Sequence, residues 1–166
     1  MTLLIQICGL GAVLAGVMTL WGALLSDNAV REKPVLEWVY FANNLFILLG
    51  FLGVYLFHVE VSGVWGVIAL LAVIFGTNLS QRSSPIAKME GYEFGGLFIG
   101  VTMIIFAITT WQVTGFSRWI TALWVAALVL GLPGIFIKAL EKLGSMLAGY
   151  TFAAAMIGVG FFLLAS

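Results

Sequence analysis

Residues 94–119 read FGGLFIGVTMIIFAITTWQVTGFSRW, and this stretch decides the fold. From Phe94 to Ser117 no side chain carries a charge, and apolar residues do not alternate with polar ones. About 20 such residues, wound as a helix, cover the hydrocarbon thickness of a bilayer. A lipid-facing β-strand would alternate instead, and in lipid only helices and closed barrels satisfy their backbone hydrogen bonds. Trp111 stands near the end of the run, Thr114-Gly115-Phe116-Ser117 has turn chemistry, and Arg118-Trp119 opens a second apolar run. The pattern is a transmembrane helical hairpin with a tight connection.

The same pattern extends in both directions. Apolar runs at 3–26, 38–59, 63–80, 94–115, 119–139 and 146–165 predict an all-α polytopic membrane protein, a bundle of six transmembrane helices with short loops. The runs use most of the chain, so residues 1–166 read as one transmembrane domain with no soluble domain. Composition agrees: 63% of the residues are hydrophobic and 8% charged, and the mean hydropathy is +1.17, far outside the range of soluble proteins. The opening Met-Thr-Leu-Leu-Ile-Gln lacks the positive region of a signal peptide, so the first run is expected to be retained as a helix.

Charge asymmetry predicts the orientation. Of the seven Lys and Arg residues, Arg31, Lys33, Arg82, Lys88, Lys138 and Lys142 fall on one side of the six-span arrangement, and Arg118 alone on the other. Basic residues collect on the cytoplasmic side, which places both termini outside. Trp38, Trp65, Trp111 and Trp119 lie at run boundaries, as amphipathic rings do at the headgroup level. Val61-Ser62-Gly63 is a second tight outer turn. The longer cytoplasmic connections, 27–37 and 81–93, carry mixed charge and a proline each, and are the expected contact surfaces outside the bilayer.

Small residues mark helix packing. Gly96 and Gly100 form a GxxxG pair, and Ala12 with Gly16 and Ala154 with Gly158 are small-xxx-small pairs. Lipid provides no hydrophobic drive for helix association, so close backbone approach has to supply it. These faces are expected to pack inside the bundle or, on the first and last helices, against a neighbouring subunit. Pro133 removes a helix hydrogen bond to the Val129 carbonyl, so a kink is expected there.

Chemistry inside a membrane starts from polar groups, because they are costly there. The deepest polar pair is Asn43-Asn44, read as interhelical hydrogen bonding or as a contact lining a solute path. His58, Glu60, Gln112 and Arg118 are expected to form an outer-face polar cluster, with His58 solvated at its helix end. One His cannot supply the two axial ligands of a transmembrane b-type haem, and one Cys cannot run disulfide exchange. The single Asp27 excludes an intramembrane aspartyl protease, and no metal-ligand cluster, phosphate loop or nucleophile elbow is present in the sequence. A proton relay would need ionisable groups at the membrane centre. With a net charge of zero and no basic tail, nucleic acid is not an expected partner.

Gly-rich spans and Arg118-Trp119 after an outer turn make the chain resemble the six-helix membrane proteins of bacteria, a likeness of composition that implies no activity and suggests a bacterial inner membrane. The expected function is a non-catalytic accessory or structural subunit, packing against other membrane subunits of a larger complex such as an energy-converting one. The alternative is a small permease or channel for a neutral or hydrophobic solute, with Asn43, Asn44, Pro133 and Trp124 along its path. An enzyme using His58, Glu60 and Arg118, or the cytoplasmic carboxylates, ranks third. Expected partners are membrane lipids and other subunits or further copies of the chain. The sequence requires no cofactor, and a bound lipid or pigment is compatible with it.

Overall fold

The computed structural model describes residues 2–24, 34–79, 91–137 and 140–166. They form six helices: α1 (Thr2–Leu24), α2 (Pro34–Phe57), α3 (Val59–Leu79), α4 (Gly91–Trp111), α5 (Arg118–Phe136) and α6 (Glu141–Ala165). The all-helical class is as expected, and the boundaries shift for local reasons. Pro34 opens α2 four residues before Trp38, using the first helical position, where no N–H is needed. Residues 27–33 and 81–90, most of the expected contact loops, lie outside the described residues.

The six-span expectation is met in part. Leu3–Gly22, Trp38–Phe57, Val59–Leu79 and Lys142–Ala165 are long and apolar enough to cross a membrane. The apolar stretches of α4 and α5, Gly95–Trp111 and Arg118–Pro133, are shorter. At 1.5 Å per residue the first of these covers about 25 Å, short of a hydrocarbon core of about 30 Å. Helix α4 stops at Trp111 instead of reaching Gly115, because residues 112–117 are spent on the turn. Helix α5 stops at Phe136 because Ile137 turns extended, its N–H bonded to the Pro133 carbonyl.

The helices close into a ring. Each packs on its neighbour in sequence, α6 returns to α1, and α2 also reaches α6. Close approaches fix antiparallel directions. The α1 and α6 backbones nearly touch at Gly9 and Gly160 and again at Gly16 and Ala153, and α3 meets α4 where Gly76 faces the Gly95 carbonyl. Helix α2 enters the groove between α1 and α6 through Gly50, which abuts Ala12 and Met156, and Gly53, which abuts Cys8 and Leu163.

The centre of the ring is solid. Phe51 of α2 stacks on Phe106 of α4 at 5.7 Å, and packs on Trp124 of α5 at 5.8 Å and Phe152 of α6 at 6.4 Å. Phe51, Phe106 and Trp124 are fully buried. Outward, α3 presents Trp65, Ile68, Leu71 and Phe75. Exposed Trp21 and Trp38 mark one end of the bundle, and exposed Trp65, Trp111 and Trp119 the other. The second end, which carries the α2–α3 and α4–α5 turns, is called the turn end below.

Candidate functional site

The intrahelical polar groups bond mostly to neighbouring turns and neighbouring helices. Asn43 and Asn44 diverge, as adjacent helical residues must, and serve two different partners. The Asn43 amide donates to the Thr19 hydroxyl of α1 at 3.2 Å, and the Asn44 amide donates to the Thr77 carbonyl of α3 at 3.2 Å. Thr102 of α4 donates to the Ala69 carbonyl of α3 at 2.9 Å, and Thr110 and Thr121 join α4 to α5 at 3.2 Å. Such bonds contribute roughly 0.6–2 kcal/mol each in a membrane. Together they tie α2 to both neighbours, α3 to α4, and α4 to α5.

The outer-face polar cluster does not form as expected, because its histidine is inside. His58 is the single residue between α2 and α3 and is only 2% exposed. Its backbone N–H closes α2 on the Val54 and Tyr55 carbonyls, and its own carbonyl accepts the N–H groups of Val61 and Ser62 at the start of α3. Gly63 then reverses the chain at φ +45, a conformation that disfavours any residue with a Cβ. This tight reversal pulls the imidazole under the turn. It lies edge-on to Phe57 at 4.6 Å and Phe116 at 5.0 Å, and Phe162 packs on both rings. Nδ1 bonds the Val54 carbonyl at 2.9 Å and so carries the proton, leaving a lone pair on Nε2. Nε2 is buried without a partner, and burial holds the imidazole below its usual titration range.

The other members stay on the surface. Glu60, Gln112 and Arg118 are exposed, and the Arg118 guanidinium sits over the Trp111 ring, 5.6 Å from its centroid. Trp124, placed along a solute path by the permease reading, is instead fully buried in the aromatic centre. Its Nε1–H is, among the described residues, the other buried polar side-chain atom without a partner, and Phe116 separates it from His58, stacking on Trp124 at 6.0 Å.

The small-residue pairs divide by face. Ala12 and Gly16 are both buried, against α2 and α6. Gly100 meets Leu128 of α5, whereas Gly96 is exposed with nothing within 4 Å. Gly158 packs on Ile120 of α5, whereas Ala154 is exposed. The α1–α6 contact is made by Gly16 together with Gly9 and Gly160, and sequence reasoning passed over the last two. The seven-residue spacing of Gly9 and Gly16 was the available signal. Pro133 lies in the last turn of α5.

Among the described residues no three His, Cys, Asp or Glu side chains come together in a way that could hold a metal ion. Compared with known proteins, the chain matches no family model, no curated protein and no solved structure.

Proposed function

We propose that the protein is a non-catalytic subunit of a larger membrane complex, with six helices across a bacterial inner membrane and both termini outside. The observation that carries this reading is how the interior is used. Asn43, Asn44, Thr102, Thr110 and Thr121 are spent on helix-to-helix bonds, and Phe51, Phe106, Trp124 and Phe152 fill the centre. What remains for interaction is the apolar outer surface, broadest along α3. The filled centre weighs against the permease, which needs a cavity with a few polar contacts.

The small faces of α1 cannot also receive a partner, because α2 and α6 already cover them. A partner therefore has to seat on the surface that stays exposed, which includes Gly96 and Ala154 as well as the large side chains of α3. Gentle detergent extraction from the source membrane, followed by mass spectrometry and an absorption spectrum, tests the assignment. The expected eluate contains companion polypeptides in fixed stoichiometry. A colourless preparation of this chain alone, as monomer or homo-oligomer, would overturn it.

A further inference from the structure

Helices α4 and α5 pack much less extensively than α5 and α6. Along their seam runs an open groove of about 680 Å³, within the range of small-molecule sites. Ala107 and Ile108 of α4 and Ala122, Val125 and Val129 of α5 line it. Val129 lies three turns into α5 from Arg118, about 16 Å along the helix. At the turn end the lining becomes polar, with Trp111 and Gln112, and there Arg118 leans over the Trp111 ring. Arg118 is exposed and packs on a ring rather than a carboxylate. Ser117 makes no side-chain cap at the start of α5, so the positive end of that helix adds to the guanidinium charge.

We propose that this groove holds an acyl chain of an anionic phospholipid whose phosphate sits on Arg118. An apolar trough ending in one uncompensated cation at headgroup depth matches an amphiphile with a negative head. A neutral solute would leave the guanidinium charge unanswered. A second copy meeting this face through a two-fold axis would bring its own Arg118 against the first. The site needs α4 and α5 to lie in the bilayer and is independent of the accessory-subunit reading.

Native mass spectrometry of the purified protein tests the site by titration with phosphatidylglycerol and, separately, with a diacylglycerol of the same chains. One phosphatidylglycerol is expected to bind, with diacylglycerol about fivefold weaker, the upper end of what one exposed ion pair contributes. Arg118→Gln should lose that preference, and Ala122→Phe, which fills the groove from an exposed position, should lose both lipids. Wild-type phosphatidylglycerol binding in both variants would overturn the proposal. So would a polypeptide retained by the wild type and released by Ala122→Phe.

Discussion

Gly16→Leu and Gly160→Leu are each expected to leave no folded protein in detergent extracts, whereas Gly96→Leu should accumulate and melt like the wild type. A Cβ at Gly16 would lie 2.6 Å from the Ala153 carbonyl oxygen and 3.0 Å from the Ile157 amide nitrogen. At Gly160 it would meet the Gly9 carbonyl oxygen at 2.7 Å and the Val13 amide nitrogen at 2.8 Å. These obstacles are helix backbone, which cannot rotate away as a side-chain tip can. Overpacking a core typically costs 1–3 kcal/mol, and the cost is larger where two backbones must separate. The α1–α6 contact also closes the ring, so its loss frees both end helices and uncovers Gly50 and Gly53 of α2. Gly96 has open space around it, which makes it the matched control. Size-exclusion profiles and thermal melts of the three variants provide the comparison. Equal behaviour of Gly16→Leu and Gly96→Leu would show that α1 and α6 do not meet as described.

The second large effect is on acid stability. Burial outweighs the Val54 hydrogen bond and holds His58 below the usual imidazole value of 6.5. The unfolded chain therefore takes up this proton at higher pH than the folded one. The stability contribution is full above about pH 6.5 and falls as pH drops from there toward the folded value, by at most about 1.4 kcal/mol per pH unit. Protonation would place a second N–H donor among Phe57 and Phe116, with no acceptor for Nε2, and an unpaired buried charge is costly. The charged side chains at the turn end among the described residues, Glu60 and Arg118, are both exposed. His58→Leu fits an apolar cage and removes the titration. Its melting temperature is expected to stay level between about pH 5 and 7 where that of the wild type declines. Parallel slopes in the two proteins would place the acid sensitivity elsewhere.

The helices were legible in the sequence because membrane-length apolar runs carry their own signal, and exposed tryptophans mark both ends of the bundle as expected. Which face of each helix points inward was not legible. Gly96 and Gly16 look alike in sequence, yet one is open and the other is pressed against a backbone. A helix apolar on every side has no polar face to orient it, so the direction comes only from side-chain shape across the ring. His58 shows the same limit. Its position at the end of a run suggested solvent, but Phe116, far away in the chain, packs edge-on against it, and Phe162 backs that ring. For Asn43 and Asn44, divergence was readable from helical geometry, whereas Thr19 and Thr77 as partners were not.

The accessory-subunit assignment and the lipid groove both require α4 and α5 to cross the bilayer, and their short apolar stretches make that the point to measure. Single cysteines at Glu60, Thr114, Lys142 and Ser166, in a Cys8→Ala background, can be labelled in intact cells with a membrane-impermeant thiol reagent. Six crossings predict that Glu60→Cys, Thr114→Cys and Ser166→Cys react together while Lys142→Cys is protected until the membrane is opened. If only α1, α2, α3 and α6 cross, Thr114→Cys will instead behave like Lys142→Cys. That result would contradict the six-helix membrane bundle, the accessory-subunit reading built on it and the lipid groove together.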